Sequence, residues 1–390
     1  MNDTRTQRMV ARSWLNRLSS VGRCRDCGRT TITGHGMVGV RSSTLNGRTT
    51  AGFAGVATCG RIWLCPVCNA KVMGQRALDL GLVMAWAAAQ GYRVIWGALT
   101  VRHKRDAALA DLLDVQRTAW RSVVQSKTWS SRGPKGTGER IGYVRAAELT
   151  DGVNGWHPHF HPVILFDGTR AAASAFASEV EAAWIAGAAK AGAVAKSVAQ
   201  MLTVLEPGES GDWVHEYVTK SGYSMTRTET TAKLAIETVW SQSKDGRRRA
   251  PEDGSQMGGE GAAKTAAHWT LLDAAHDGDK RARARWRELE KATKGHRMLM
   301  WSRGLRKMAG ISTPDQTDEE LAAKVVGTVE DTVCFITSDG WRAVRKRPTL
   351  AARILNVVEA DGWPALRALL TAEGIGWQTM DEYTSVKYAA

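Results

Sequence analysis

The middle third of the chain has the most regular alternation of hydrophobic and polar positions. Residues 94–101 (VIWGALTV) are β-branched and aromatic, and this short run predicts a strand. The hydrophobic positions that follow recur at helical spacing; they are Leu109, Leu112, Leu113, Trp120, Val123 and Val124. Residues 141–150 and 157–166 predict two more strands, joined by a turn at DGVNG. A strand, a helix and a hairpin are therefore expected in that order.

A second helix and a fourth strand continue this order. Thr169 is a suitable N-cap for an Ala-rich helix that runs to about residue 191, and residues 198–206 predict a strand. After the turn PGESGD, another helix carries WVHEYVTK. The order β-α-β-β-α-β-α, with a hairpin between two helical crossovers, predicts an α+β fold. An antiparallel sheet backed by helices, in a split βαβ arrangement, is expected.

Four successive segments are predicted along the chain. Residues 1–92 form a Cys-rich, zinc-ribbon-like region followed by a helix, and residues 93–226 form the core described above. Residues 227–310 combine a basic Gly-rich loop with a helical, DNA-contacting region. Residues 311–390 are more acidic and predict a small, mainly helical α/β unit that ends in a pair of helices and to which the sequence assigns no role.

The composition of the chain indicates what kind of partner it binds and in which compartment it is expected. The 390 residues are 43% hydrophobic, as in globular proteins, but the net charge is +14, which favours a polyanionic partner such as nucleic acid. The N-terminus lacks an apolar leader, and the most apolar stretch, residues 81–90, is too short to span a bilayer. A cytoplasmic protein without a membrane partner is expected, so its six cysteines are thiols or metal ligands rather than disulfides.

The stretch WHPHFHP (156–162) places three histidines on one strand. Because alternate residues share a face, His157, His159 and His161 point one way, and Phe160 points the other. This row predicts a metal site for Zn, Fe, Mn or Cu. If the hairpin turns at Val153 and Asn154, Glu148 lies directly across from His159 and can supply a carboxylate ligand. The alternative is a solvated strand glutamate.

Tyr217 and Lys220 are neighbours on one face of the predicted WVHEYVTK helix. An ammonium there can hold a phosphate or favour the phenolate. A tyrosine hydroxyl is a poor nucleophile, so attack on a phosphodiester would need a metal ion to polarise the phosphate. A lone helical tyrosine usually packs in the core, so the YxxK pattern by itself is weak evidence of a nucleophile.

Taken together, these motifs resemble the HUH endonucleases, specifically the rolling-circle replication initiators of Gram-positive and actinobacterial plasmids. The matching stretches are ALTVRH (98–103), WHPHFHPVILF (156–166) and EYVTK (216–220), in the order and spacing of that family. AELT (147–150), CPVC (65–68) and ATKGHRMLMWSRGLRKMAG (292–310) are also similar to actinobacterial members. The resemblance covers roughly residues 20 to 310, and the histidine motif is its most specific part.

The resemblance implies a metal-dependent nickase that acts at a plasmid replication origin. His159 and His161 would hold Mn²⁺ or Mg²⁺ with Glu148 as third ligand, and His157 would either ligate or pack beside the site. Tyr217 would cleave one strand, giving a 5′-phosphotyrosyl enzyme and a free 3′-hydroxyl, and would later allow rejoining. The implied partners are origin DNA with its hairpin or single-stranded nick site, a host helicase and a polymerase; a homodimer is left open.

One departure from the family concerns termination. Some related initiators carry a glutamate one helical turn before the tyrosine, where this chain has Trp213. Asp212 and Glu216 are nearby on other helix faces and could substitute only with altered geometry. Tyr223 is an alternative second nucleophile, although its spacing from Tyr217 favours packing.

Two CxxC pairs, Cys24/Cys27 and Cys65/Cys68, predict a structural zinc site, although 37 residues separate them. Cys59 could replace one ligand; free thiols are the alternative, and Cys334 is expected to be an ordinary buried thiol. Basic residues around the pairs would suit contact with DNA: Arg23, Arg25, Arg29, Arg61 and Lys71.

Further phosphate contacts are predicted in two basic tracts. The tracts are RRR (247–249) and the predicted helix of residues 280–297, and the arginines chosen as candidates are Arg247, Arg248, Arg249, Arg283, Arg285 and Arg287. Trp269, Trp286 and Trp301 are interleaved with the second tract and could stack on unpaired bases. The alternative is a solvated charged face with tryptophans in the core.

Three other classes compete with the nickase. A relaxase or transposase of the same superfamily would differ in its DNA target. A non-haem iron oxygenase could use two histidines and a carboxylate as a facial triad, but it leaves the basic charge without a role. A non-catalytic zinc-ribbon DNA-binding regulator leaves the histidine row and the tyrosine helix unexplained.

Overall fold

The computed structural model describes residues 4–45, 47–130, 138–152, 154–208 and 266–389. Thirteen helices and two antiparallel sheets occur in these ranges, which confirms the predicted α+β class. The chain divides into two compact units. One, here the histidine unit, comprises Met73–Thr270 and Lys291–Asp315; the other, the cysteine unit, comprises Met1–Val72, Leu271–Glu290 and Gln316–Ala390.

The histidine unit contains a sheet of six strands. Its path is β6-β3-β5-β4-β7, and β8 also pairs with β4. The strands are β3 (Arg93–Thr100), β4 (Gly138–Gly152), β5 (Gly155–Gly168), β6 (Met201–Leu205), β7 (Ala266–Ala267) and β8 (Leu299–Trp301). All of these pairings are antiparallel.

The β4–β5 hairpin is the longest pairing of this sheet. Gly152 pairs with Gly155 across a two-residue connection, and the register runs from there to Gly138 and Gly168 with one irregularity, between Arg140 and Gly142. Because the turn has two residues, the register puts Glu148 opposite His159, as predicted.

Helices α4 (Leu109–Val124) and α6 (Arg170–Lys190) cover one face of the sheet, and the short α5 (Lys127–Ser130) lies between them in sequence. The Trp120 ring of α4 and the Trp184 ring of α6 both contact Phe160 edge-on. Thr169 caps α6 by accepting a hydrogen bond from the Ala172 amide, as expected. Since Phe160 alternates with the histidines along β5, these helices lie on the face opposite the histidines.

The cysteine unit is built around a second sheet, of order β10-β9-β1-β2. Its strands are β1 (Val38–Leu45), β2 (Arg48–Ala54), β9 (Thr332–Ile336) and β10 (Trp377–Gln378). The helices of this unit are α1 (Thr4–Leu18), α2 (Gly22–Asp26), α10 (Asp318–Ala323), α11 (Ser338–Val344), α12 (Pro348–Ala372) and α13 (Met380–Ala389). Val38, Ile336, Trp341 and Leu355 belong to its buried core.

This arrangement differs from the four successive segments expected from the sequence. β1 and β2 of the N-terminal segment share a sheet with β9 and β10 of the C-terminal segment. Their pairing joins residues such as Val38 and Ile336, far apart along the chain, and neither β9 nor β10 has a long alternating pattern. The second sheet was therefore not predicted.

Helices α3 (Pro66–Ala89), α7 (Trp269–His276) and α8 (Lys280–Ala292) run across the limits of the two units, and α9 (Leu305–Met308) belongs to the histidine unit. In the described ranges, every helix is too short or too polar to cross a membrane.

Candidate metal centres

The three histidines of β5 lie in a row on one face of the sheet. The ring centroids of His157 and His159 are 5.3 Å apart, and those of His159 and His161 are 4.9 Å apart. This face is the one predicted from the alternation of residues 157–161. The side chains of His159 and His161 are only 15% and 12% exposed, so the imidazoles lie in a partly desolvated site.

Glu148 brings two of these histidines together. Its Oε2 atom is 2.6 Å from Nε2 of His159 and 2.8 Å from Nε2 of His161. The three side chains offer one carboxylate oxygen and two imidazole nitrogens, all within 4.8 Å of one another. This donor set fits a divalent metal ion. A protein that used Glu148 only as a solvated strand residue would not bury its side chain to 6% exposure.

The charges in this group suit metal binding. Burial alone would raise the pKa of Glu148, but the charge and hydrogen bonds of His159 and His161 outweigh it and hold that pKa well below its usual range. Burial lowers the pKa of His161, against the opposing effect of Glu148. An ionised carboxylate next to a neutral imidazole is therefore favoured at neutral pH.

A backbone carbonyl orients His161. Its Nδ1 lies 3.0 Å from the Gly97 carbonyl of β3 and can donate to it, so that once Nε2 gives up its own proton, the Nε2 lone pair faces Glu148 and is available to a metal ion. A Cβ at position 97 would overlap the Met201 carbonyl of β6, so only glycine fits at this point of the sheet. Gly97 was not predicted as part of the site; a glycine inside a predicted strand was its only signal in the sequence.

His157 lies outside the group formed by Glu148, His159 and His161. Its Nδ1 is 2.8 Å from Nε2 of His103, and its Nε2 is 3.3 Å from the Thr100 hydroxyl. Burial, followed by the nearby His159 and His103, lowers the pKa of His157 to about 4. Of the two expectations for this residue, the geometry favours packing beside the site.

A second candidate metal centre lies in the cysteine unit. The Sγ atoms of Cys27 and Cys65 are 3.8 Å apart, those of Cys27 and Cys68 are 3.6 Å apart, and those of Cys59 and Cys68 are 3.6 Å apart. Four thiolates around Zn²⁺ at about 2.3 Å would have sulfurs about 3.8 Å apart at the edges of the tetrahedron. These three sulfur–sulfur distances match a tetrahedral zinc site, and all four sulfurs lie within 4.8 Å of one another.

Short local elements position these four thiols. Cys27 follows α2, Cys65 precedes α3, and Cys68 lies in the first turn of α3. The Asn16 amide donates to the carbonyls of Cys24 and Cys27 at 2.7 and 3.2 Å, which fixes the first loop. Hydrogen bonds from Cys27, Cys59 and Cys65 hold the pKa of Cys68 well below its ordinary value, whereas hydrogen bonds from neighbouring thiols raise the pKa of Cys59 and burial raises that of Cys65.

The four-thiol group differs from the two CxxC pairs in one residue. Cys24 is fully buried beside Cys59, but Cys59 rather than Cys24 joins Cys27, Cys65 and Cys68. The alternative in which Cys59 replaces one ligand is therefore the one that the geometry favours. Cys334 is buried in the core, and burial raises its pKa to about 12, as expected for an ordinary thiol.

Most of the basic side chains around the cysteines already have protein partners. Arg61 donates to the Glu290 carbonyl at 3.4 Å, and Lys71 donates to the Ala322 carbonyl at 2.8 Å. Arg23 lies 3.8 Å from the Glu319 carboxylate. Arg25 is exposed. Of these residues, Arg25 is the one best placed for contact with DNA.

Helix α8 presents a stripe of cations. Lys280, Arg283, Arg287 and Lys291 recur at intervals of three or four residues, so they share one helix face, and all four are exposed. Arg285 is on another face, where it is half-buried and pairs with Glu288 at 3.2 Å. Arg287 lies 3.8 Å from the Glu290 carboxylate but is exposed, so Arg283 and Arg287 remain candidates for phosphate contact, whereas the half-buried Arg285 pairs with Glu288.

The tryptophans near α8 correct part of the stacking prediction. Trp286 is 1% exposed and belongs to the core, so it cannot stack on a base. Trp269 and Trp301 are half-buried, and Trp269 packs on His268 with ring centroids 4.3 Å apart.

Several predicted site residues lie outside the described residues. They are Asp212, Trp213, Glu216, Tyr217, Lys220, Tyr223, Arg247, Arg248 and Arg249. Their roles stay predictions from the sequence.

Comparisons with known proteins agree with the resemblance seen in the motifs. The chain is 28% identical to "Protein rep" of Streptomyces lividans, over 78% of this chain and 77% of that protein. It is 32% identical to a "Neomycin resistance protein" of Streptomyces cyanogenus, over 31% of this chain and 34% of that protein. No family model matches the chain, and no solved structure matches it. The expected similarity to an actinobacterial Rep protein is confirmed by the first relative.

Proposed function

We propose that this protein initiates rolling-circle replication of a plasmid by nicking one strand of the replication origin. The observation that carries the proposal is the convergence of His159 and His161 on one carboxylate oxygen of Glu148. The similarity to a Streptomyces protein named Protein rep supports the choice of plasmid replication over transfer or transposition.

The sheet topology is consistent with an HUH-type fold. The hairpin of β4 and β5 lies between one helical crossover through α4 and another through α6, and β4 and β5 are neighbouring interior strands of the sheet. Central neighbouring strands are rigid, so the ligands on β4 and β5 are held in a fixed geometry.

Glu148, His159 and His161 would hold Mn²⁺ or Mg²⁺. Their fit rests on the donor atoms: two imidazole nitrogens, one of them fixed by the Gly97 carbonyl, and one ionised carboxylate. When bound, such an ion supplies Lewis-acid polarisation of a phosphodiester. The protein itself contributes a sheet face that holds the three donors together before any ion arrives.

Tyr217 would be the nucleophile. Its phenolic oxygen forms a bond to phosphorus and loses its proton, the bond from phosphorus to the 3′-oxygen breaks, and the 3′-oxygen gains a proton. The products are a 5′-phosphotyrosyl protein and a free 3′-hydroxyl for a host polymerase, after unwinding by a host helicase. Lys220, three residues further along the sequence and on the same face of the predicted helix, would hold the phosphate or favour the phenolate.

Rejoining at the end of the cycle would reverse this step, because the phosphotyrosyl bond retains the energy of the cleaved linkage. Asp212 and Glu216 are the nearby carboxylates that could activate water for termination.

The cysteine cluster would hold a structural Zn²⁺. The proximity of the sulfurs of Cys27, Cys59, Cys65 and Cys68 supports zinc binding. The ion would be structural rather than catalytic, because four protein ligands leave no open position on a tetrahedral Zn²⁺. The same cluster favours a second candidate function, a DNA-binding regulator without catalysis. In that case the Glu148 group would be structural.

The test mixes purified protein with labelled single-stranded oligonucleotides that tile the plasmid DNA encoding it. Wild type, Tyr217→Phe and the matched Tyr223→Phe variant are compared with Mn²⁺ and with EDTA on a denaturing gel. A covalent protein–DNA band is expected for wild type and Tyr223→Phe with Mn²⁺, and none for Tyr217→Phe or with EDTA. Duplex binding without an adduct on any oligonucleotide would favour the regulator.

A further inference from the structure

The loop of residues 101–108, between β3 and α4, is basic and lies beside the Glu148 group. Its sequence is VRHKRDAA, and the side chains of Arg102, Lys104 and Arg105 are exposed. Among the described residues, none of these three forms an ion pair, although Asp106 follows them. Three cations within four positions therefore project from one short segment of the histidine unit.

The start of this loop is next to a proposed metal ligand. Thr100, the last residue of β3, pairs with His159 of β5, so the loop leaves the sheet directly opposite that histidine. Two residues before His159 on β5, His157 contacts both Thr100 and His103. His103 thus ties the cationic segment to the same row of imidazoles that contains His159 and His161.

Backbone contacts hold the loop in place. The Arg102 amide donates to the Val194 carbonyl at 2.7 Å in an isolated bridge, and the Ala107 amide donates to the Lys104 carbonyl at 3.2 Å in a turn. On the other side, the Arg105 backbone lies against Gly155, the first residue of β5. Gly155 has φ +83°, and a Cβ there would overlap the Arg105 carbonyl. A glycine is required at 155 for the loop to come this close to the hairpin.

We propose that Arg102, Lys104 and Arg105 form a binding site for the phosphates of a single DNA strand, which holds that strand across the Glu148 group. This inference rests on the proposed function and names the surface that positions its substrate. Cations on a segment whose backbone is already held in place bind a polyanion more tightly, because less loop entropy is lost on binding.

The test measures DNA binding in the absence of cleavage. Full-length protein in the Tyr217→Phe background binds a fluorescein-labelled mixed-sequence single strand in EDTA, over a series of NaCl concentrations. The variants are Arg102→Gln, Lys104→Gln, Arg105→Gln and the triple substitution. The control is Arg121→Gln, an exposed arginine at the end of α4, the helix that packs on the sheet face opposite the histidines.

Each phosphate contact contributes about 0.7 to the slope of log Kobs against log salt for single strands. The triple variant is therefore expected to lose about 2 from that slope, each single variant about 0.7, and Arg121→Gln nothing. An unchanged slope in the triple variant would overturn the proposal. The single variants answer the question if the triple variant does not fold, which circular dichroism shows.

A duplex of the same sequence separates strand from duplex binding. An equal loss of slope for the duplex would overturn the assignment to a single strand. Failure of the nickase proposal gives a different result, since the wild-type protein would then form no covalent adduct while the loop variants still changed the salt slope. If the wild-type protein forms the adduct but the salt slopes of the loop variants are unchanged, only the role of the loop is rejected and the nickase proposal stands.

Discussion

Replacing Cys59 and Cys24 one at a time tests the ligand set of the cysteine cluster. The two residues are both buried and their thiols are neighbours, yet only Cys59 belongs to the four-thiol group. Cys59→Ser is therefore expected to lose bound zinc, whereas Cys24→Ser is expected to keep one Zn²⁺ per chain. A ligand set taken only from the CxxC pairs predicts the opposite result.

The magnitude follows from the geometry. The observed sulfur distances of 3.6–3.8 Å match a tetrahedron with Zn–S bonds of about 2.3 Å. A structural zinc site contributes about 10–16 kcal/mol of apparent binding free energy, so loss of one of four thiolates should cost several kcal/mol. Cys24→Ser places a hydroxyl in a buried thiol position and should cost about 1–3 kcal/mol.

The assay combines metal content with stability. Zinc per chain is measured by mass spectrometry of the purified proteins, and urea unfolding is followed with and without a chelator. The chelator should destabilise wild type and Cys24→Ser and leave Cys59→Ser almost unchanged, because that variant has already lost the metal. Full zinc occupancy in Cys59→Ser together with zinc loss in Cys24→Ser would refute the assignment.

Three further outcomes are expected. Glu148→Gln should bind Mn²⁺ at least tenfold more weakly than wild type by titration calorimetry, since it removes the charged donor, and equal affinity would show that the carboxylate is not a ligand. Gly97→Ala should lower the free energy of unfolding by about 2–4 kcal/mol, because its Cβ overlaps the Met201 carbonyl; a loss below about 1 kcal/mol in urea would mean that β6 yields at little cost. The pKa of His157 is about 4 in the folded protein, below its ordinary value of about 6.5, so between these two pH values the unfolded chain binds one more proton than the folded protein. In EDTA, the stabilising contribution of the neutral His157 is therefore fully present above pH about 6.5 and is lost as the pH falls toward 4. Allowing for partial exposure, this amounts to about 1–2 kcal/mol, and urea titrations of His157→Gln between pH 7 and 4 should lack that part of the decline; an unchanged decline would assign it to other groups.

The parts of the site that could be predicted from the sequence depend on local patterns. A two-residue turn and strict alternation fix the register of a hairpin, and the sequence alone was therefore enough to pair Glu148 with His159 correctly. The helix α4 and the N-cap of α6 at Thr169 were predicted for the same reason, since their signals lie within a few residues of each other.

The parts that were missed depend on contacts between distant segments. Gly97 orients His161 through a backbone carbonyl, which no side-chain pattern reveals. Cys59 belongs to the thiol group because the loop before α3 lies next to the end of α2 in the folded protein. The CxxC pattern identifies only cysteines that are close in sequence. Trp286 is interleaved with arginines, yet the face of α8 that carries it is buried.

The pairing of β1 with β9 has a consequence for how the chain is made. Translation completes every described strand of the histidine unit by residue 301, but β9 begins only at Thr332 and β10 at Trp377. Until those residues leave the ribosome, β1 has an unpaired edge and Val38 and Val40 lack the partners that bury them. A chain terminated early by a nonsense codon would therefore carry the strands that position the histidines together with an unfinished sheet, a state that favours aggregation or proteolysis. Residues synthesised late, in β9 and β10, thus complete the sheet that β1 and β2 begin.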